Sequence, residues 1–277
     1  MKVISSLEDI KSYINDHKSD EAISLIPTMG NIHSGHLKLI KSASSSSLKI
    51  VSIYVNELQF NDRNDYVSYP RTLSDDLSIC EDHDVDLVFT PDNSVIRKQL
   101  DDDKSDLPKF TSYMCGANRP GHFLGVYKIV KFLFELLEPN YAYFGKKDYQ
   151  QLLLIKYIAN TYFPKLKIID VDTVRDSNNI ALSSRLSKIS SESFHQVKLI
   201  FQTLMIMKKK LLSGLNYSST KEDCILELEN NNISVEYLDL RSLETLKEQV
   251  NTNQPCGIFI ACYIDNIRLI DLSLIHI

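Results

Sequence analysis

Up to about Arg175, short apolar runs rich in β-branched residues alternate with segments whose apolar residues recur at helical spacing. The runs Ala22–Ile26, Leu48–Val55, Val85–Pro91, Pro139–Gly145 and Leu166–Val174 are continuous enough to predict buried strands. Between them, Leu7, Ile10 and Ile14 mark a helix from Ser6, a plausible N-cap, to about Asp16. Further helices are expected from near His36, from Ser74 towards His83, over Val126–Leu137, and from Lys146–Gln151 towards Tyr162. The serine run Ser44–Ser47 is read as a helix end, and Asp65–Leu73 as a loop leading into the next helix. Strand–helix alternation of this kind predicts a doubly wound α/β sheet, largely parallel.

Past Arg175 the pattern changes. Asp176–Asn179 is a turn, and Ile180–Lys188 is small, hydroxylated and basic. A long helix is predicted over Ser190–Leu212, where the basic end Lys208–Lys210 complements the helix C-terminus. A second helix is predicted at about 220–231, then a strand over Val235–Leu240 and a hairpin of Gly257–Tyr263 with Ile267–Leu272 around Asp265-Asn266. The expected organisation is a first domain over residues 1–176 and a smaller α+β domain over 177–277.

Composition narrows the class. The 277 residues are 43% hydrophobic and 24% charged, which suits a globular protein, and the net charge of −5 argues against a general nucleic-acid surface. No apolar segment approaches the ~20 residues that span a bilayer, and the first residues lack the apolar run of a signal peptide. The five scattered cysteines are expected to be reduced core residues of a cytoplasmic protein. The charge run Asp101–Lys104 is expected on a solvated surface.

Candidate chemistry concentrates at Pro27-Thr28-Met29-Gly30-Asn31-Ile32-His33-Ser34-Gly35-His36. A strand, a glycine turn and a helix start together aim free backbone N–H groups at a phosphate. His33 and His36, three apart, share a helical face, and Gly35 leaves room for a ligand to approach the backbone. Such a pair is suited to gripping a triphosphate, but it also has the spacing of two metal ligands. Asn56 and Gln59 lie at the carboxyl end of a predicted strand, where ligands collect in open parallel sheets, although Asn56 equally suits a turn cap. Phe144-Gly145 followed by Lys147 and Asp148 forms a second strand–glycine–helix corner. Ser183, Ser184 and Arg185 fit phosphate oxygens or an ordinary N-cap.

These stretches together resemble the pantothenate synthetase (pantoate–β-alanine ligase) family of the nucleotidylyltransferase superfamily. The resemblance is carried by Pro27–Gly30 with His33 and His36, Val55-Asn56 with Gln59-Phe60, Tyr69-Pro70-Arg71-Thr72-Leu73, Arg119-Pro120-Gly121-His122-Phe123, Phe144-Gly145 with Lys147, Asp148 and Gln151, and Ala181–Arg185. It spans nearly all of the first domain and the start of the second.

The resemblance implies a Rossmann-like nucleotide-binding domain with a C-terminal lid. It implies that the chain is a cytoplasmic homodimer condensing pantoate with β-alanine. ATP would be consumed through a pantoyl adenylate, with release of pyrophosphate and AMP. It casts His33, His36, Lys147 and Arg185 as catalytic groups on the ATP phosphates, with Ser183 and Ser184 closing beside Arg185. Met29, Gly30, Gly35, Gly145 and Asp148 would complete the nucleotide site. Gln59 and Gln151 would hold pantoate, with Asn56 close by. Mg²⁺ would ride on the ATP phosphates and no metal cage would be needed; neither nucleic acid nor membrane is an expected partner.

Five positions depart from the usual family pattern: Glu57, Lys146, Asn178, Asn179 and Leu186. Glu57 brings negative charge near an anionic substrate and Lys146 adds a cation beside Lys147, whereas Asn179 can take up the left-handed conformation its turn needs. Two other readings stay open: a nucleotidylyltransferase acting on a different acid or phosphate, and a nucleotide-binding protein with little catalytic power.

Overall fold

The computed structural model describes residues 1–18, 21–100 and 106–275. Two compact units are present, Met1–Thr111 with Gly116–Asp172, and Ser112–Cys115 with Thr173–Ile277. The charge run Asp101–Lys104 lies outside the described residues.

The first unit is built on six parallel strands: β1 (Lys2–Ile4), β2 (Ala22–Thr28), β3 (Ser47–Ile53), β4 (Leu87–Phe89), β5 (Tyr141–Gly145) and β6 (Lys167–Val171). Their order across the sheet is β1-β4-β3-β2-β5-β6. Helices α1 (Leu7–His17), α2 (Ser34–Ser42), α3 (Arg63–Val67), α4 (Leu73–Glu81), α5 (Asn93–Leu100), α6 (Met114–Asn118), α7 (His122–Leu137) and α8 (Tyr149–Tyr162) occur between the strands and at unit borders. On one face, Ile26, Val51 and Val88 pack with Leu39 and Ile40 of α2 and Cys80 of α4. Their chain neighbours Leu25, Ile50 and Leu87 are also fully buried, and alternation along a strand sends them to the opposite face. Both faces of the sheet are therefore covered, which is why its strands read as continuous apolar runs.

The predicted strands are all present. The N-terminal strand β1 is an addition: three residues carry no period of their own, and their pairing with β4 fixes them. Helix α5 also falls in a stretch the pattern left unassigned. The helix expected to begin at Val126 starts four residues earlier, at His122, with left-handed Gly121 as its N-cap. The serine run divides, since α2 closes at Ser42 and Ser47 already pairs in β3.

The second unit contains α9 (Phe194–Leu212), α10 (Tyr217–Asn230) and the antiparallel strands β7 (Ser234–Ser242), β8 (Cys256–Ile264) and β9 (Ile267–Ile275). Ile200, Leu204 and Met207 of α9 and Leu228 of α10 bury against Leu238, Leu240, Ile258 and Ile260 of the sheet. The β8–β9 turn places Asp265 and Asn266 at φ 51° and 62°, the left-handed pair that a two-residue hairpin requires. All five cysteines are buried and none forms a disulfide.

Candidate active site

In the parallel sheet every carboxyl end lies on one edge. The strand order runs outwards in both directions from β2, so β2 and β5 flank the topological switch point at which ligands collect in open α/β sheets. The turn after β2, the turn after β3 and the corner after β5 all sit on this edge.

The turn after β2 is tied down from within. The Thr28 hydroxyl donates to the Ser52 carbonyl at 2.9 Å and accepts the Gly30 N–H at 3.1 Å. Gly30 and Asn31 both adopt left-handed conformations, with φ 78° and 51°. The Asn31 and Ile32 N–H groups donate to the Asp76 carboxylate at 3.0 and 2.7 Å. The His33 N–H reaches His36 Nδ1 at 3.4 Å, and the Gly35 N–H reaches His33 Nδ1 at 3.1 Å. These five amides are therefore engaged within the structure, whereas the Met29 and Ser34 N–H groups have no hydrogen bond among the described residues. Side chains satisfy the five, because an unpaired amide in a buried turn is costly.

What this leaves outward is imidazole. His33 is the N-cap of α2 and His36 stands three residues on, so the two rings exchange capping bonds with the backbone. Their centroids lie 4.2 Å apart. A backbone N–H only donates, so each Nδ1 is an unprotonated acceptor and each neutral ring carries its proton on Nε2. Burial, and then the charge of Lys147, push the His33 pKa below its ordinary value. His36 is pushed down to about 3, by burial first and then by His33 and Lys147. Both rings are thus neutral at physiological pH, and each has an Nε2–H that can donate to an anion.

The glycine between them makes room for an imidazole. A Cβ on Gly35 would lie 2.7 Å from Cε1 and 2.9 Å from Nδ1 of His33. The missing side chain is what leaves room for that ring.

After β3, Asn56 is 1% exposed. Its amide donates to the Gly125 carbonyl at 2.9 Å and to Gln59 Oε1 at 3.2 Å, while its Oδ1 accepts the Leu58 N–H at 3.3 Å. With these bonds made, Asn56 holds Gln59 and caps the turn, and both N–H donors of its amide are used. Gln59 Nε2 in turn meets Met29 Sδ at 2.9 Å, which ties the two turns together. The Gln59 carbonyl accepts from Arg119 at 3.2 Å and from His122 Nδ1 at 2.7 Å. The Arg119–Phe123 stretch thus buttresses Gln59. Glu57 pairs with Arg97 at 3.2 Å, so the charge this departure introduces is compensated locally.

At the β5 corner, Lys146 donates to Asp172 at 2.7 Å and also faces Asp170 at 3.6 Å. Its charge is spent on those two carboxylates, and the Asp172 hydrogen bond raises its pKa. Lys147 has no ion-pair partner among the described residues, and its charge is felt by both histidines. Asp148 also acts on His33, in the opposite sense, and is exposed. Gln150 turns inwards to the Phe110 carbonyl at 2.9 Å, whereas Gln151 is half-buried with no side-chain hydrogen bond among the described residues.

In the second unit, Ser183 Oγ accepts the Arg185 N–H at 3.2 Å and the segment continues into a short 3-10 turn over Leu186–Lys188. Leu186 packs on the apolar core of its own unit, which accounts for that departure. Asn179 has φ 63°, the left-handed conformation expected of it.

Met29, Gly30, His33, Gly35, His36, Gln59, Gly145, Lys147, Asp148 and Gln151 are therefore brought to one sheet edge of the first unit, while Ser183, Ser184 and Arg185 belong to the second. Sequence reasoning missed Asp76. Its signal was an acid placed four residues before Cys80 on the buried stripe of α4. No group of three His, Cys, Asp or Glu side chains able to hold a metal ion occurs among the described residues, and no helix there is long and apolar enough to cross a membrane.

A family model described as pantoate-beta-alanine ligase matches residues 2–274. The pantothenate synthetase of Leptospira biflexa is 37% identical over 98% of both chains. That of Chromohalobacter salexigens is 34% identical over 98% of this chain and 97% of its own. Among solved structures, the pantothenate synthetase of Thermus thermophilus superposes with a TM-score of 0.88 at 29% identity, covering 100% of both chains. The pantoate-beta-alanine ligase of Francisella tularensis, solved with β-γ ATP and β-alanine, does so with a TM-score of 0.84 at 32% identity over 99% of this chain and 97% of its own.

Proposed function

The chain belongs to the pantoate–β-alanine ligase family, and we propose that it joins pantoate to β-alanine at the expense of ATP through a pantoyl adenylate. In the first step a pantoate carboxylate oxygen bonds to the α-phosphorus of ATP, and the bond to the bridging oxygen breaks to release pyrophosphate. In the second step the free amine of β-alanine attacks the activated carbonyl, the carbonyl–phosphate bond breaks, and AMP leaves with loss of a proton from nitrogen.

One observation supports the reading: two neutral imidazoles, each with its proton on Nε2, lie beside a lysine that has no ion-pair partner among the described residues, at the switch point of a parallel sheet. Attack on phosphorus demands positioning and positive potential more than a protein nucleophile. His33 and His36 donate to phosphate oxygens, and Lys147 offsets the charge that grows on the leaving pyrophosphate. Met29, Gly30, Gly35, Gly145 and Asp148 shape the nucleotide site. Gln59, held by Asn56, His122 and Arg119, binds pantoate together with Gln151. Ser183, Ser184 and Arg185 of the second unit act as the lid on the phosphates. Mg²⁺ arrives on ATP, and when bound it neutralises phosphate charge. The resemblance adds a homodimer and a cytoplasmic setting to this reading.

The test is a product assay with substrates omitted in turn. Pyrophosphate is expected from ATP and pantoate alone, in an amount comparable to the enzyme, and sustained AMP release only when β-alanine is added. ADP and phosphate as products, or AMP release indifferent to pantoate, would overturn the proposal.

A further inference from the structure

The stretch Tyr69-Pro70-Arg71-Thr72-Leu73 has no task in the ligase reading, yet it is elaborately fixed. Arg71 donates to the carbonyls of Tyr66, Val67 and Tyr69 at 3.2, 3.2 and 2.9 Å, and its guanidinium lies 5.1 Å from the centre of the Tyr66 ring. Thr72 occupies the N-cap of α4 without capping it. Its hydroxyl turns instead to Asp76 Oδ2, at 3.2 Å.

Asp76 is 2% exposed, and no Lys or Arg among the described residues forms an ion pair with it. Its charge is met by three donors: the Thr72 hydroxyl and the N–H groups of Asn31 and Ile32. A buried carboxylate is tolerated only when hydrogen-bonded in this way, and bonds to an ionised acceptor are the strong ones. The two amides come from 45 and 44 residues away in sequence. They belong to the last residues before His33, one of them in the left-handed conformation. Both oxygens are needed, one to each amide, so a neutral amide side chain could accept only one of the two bonds. Gly30 packs so closely that a Cβ there would stand 2.9 Å from Asp76 Oδ2.

We propose that Asp76, oriented by Thr72, is a positioning residue for the nucleotide: it sets the turn that aims His33 and His36, so binding of the triphosphate depends on it and binding of pantoate does not. This rests on the reading that the ATP phosphates sit on the histidine pair.

The experiment titrates the full chain with a non-hydrolysable β,γ-analogue of ATP and Mg²⁺ by calorimetry, and measures KM for ATP and for pantoate together with the unfolding temperature. Asp76→Asn should weaken analogue binding and raise the ATP KM by about tenfold or more, since small misplacements of binding groups are costly, while the pantoate KM stays close to wild type. Thr72→Val, which removes only the hydroxyl, should weaken the analogue by roughly threefold with little change in unfolding temperature. Unchanged analogue binding in both variants overturns the proposal, as does a parallel rise in both KM values with a large fall in stability. If Asp76→Asn does not fold, Thr72→Val decides by the same criteria. A wild-type chain that fails to bind the analogue would sink the ligase reading and this inference with it.

Discussion

Gly35→Ala separates positioning from stability at the histidine pair. The new Cβ would stand 2.7 Å from Cε1 and 2.9 Å from Nδ1 of His33, both too close, so the ring must retreat by several tenths of an ångström. That movement breaks the 3.1 Å bond from the Gly35 N–H to Nδ1. Losing an N-cap bond costs about 1 kcal/mol, whereas alanine in place of glycine within a helix returns roughly 0.5–1 kcal/mol. The two nearly cancel, so the unfolding temperature should move by only a few degrees. Catalysis has no such compensation. The ring loses its aim and the fixed tautomer that put a proton on Nε2, and removing one aligned donor from a developing negative charge costs about a hundredfold or more in rate. A hundredfold loss in kcat/KM for ATP corresponds to about 2.7 kcal/mol of transition-state stabilisation. A coupled AMP-release assay run beside thermal unfolding measures both quantities. If the variant keeps near-normal turnover, or loses activity only in proportion to a collapse in stability, the proposed aiming of His33 by its own capping bond is wrong.

Lys147→Ala should lower kcat by about two to three orders of magnitude with the fold intact by circular dichroism, because Lys147 has no ion-pair partner among the described residues to strand. Asn56→Ala removes the donor to the buried Gly125 carbonyl and should destabilise by about 1–3 kcal/mol in denaturant titration; it should raise the KM for pantoate more than that for ATP, since it releases Gln59. The histidines make stability depend on pH with a definite sign. An unfolded His36 titrates near 6.5 and the folded one at about 3, so between those values the unfolded chain binds more protons and stability falls as pH drops. His33 adds in the same direction. The slope of unfolding temperature against pH below about 6.5 should therefore be shallower in His36→Gln than in wild type, and an unchanged slope would count against a neutral buried ring.

The sequence alone determined the layers and much of the punctuation of this protein. Strands buried on both faces have to be apolar throughout, so β2, β3, β4, β5 and β6 announce themselves as runs, and a helix with one buried side repeats every three or four residues. Left-handed positions also betray themselves locally, as at Asn179 and Asp265-Asn266, because few side chains tolerate them. The histidine pair was visible for the same reason: its members are three residues apart. What tertiary structure decided is where each polar group finds its partner. The carboxylate that takes the Asn31 and Ile32 amides, the carbonyl that takes the Asn56 amide, and the acids that take Lys146 all come from other elements. Periodicity reports which side of an element is buried, and hydrogen bonding across elements leaves no period in the chain. The same limit hid β1, whose three residues become a strand only by pairing with β4. It also concealed that the amides of Gly30, Asn31, Ile32, His33 and Gly35 are taken by the side chains of Thr28, Asp76 and the two histidines.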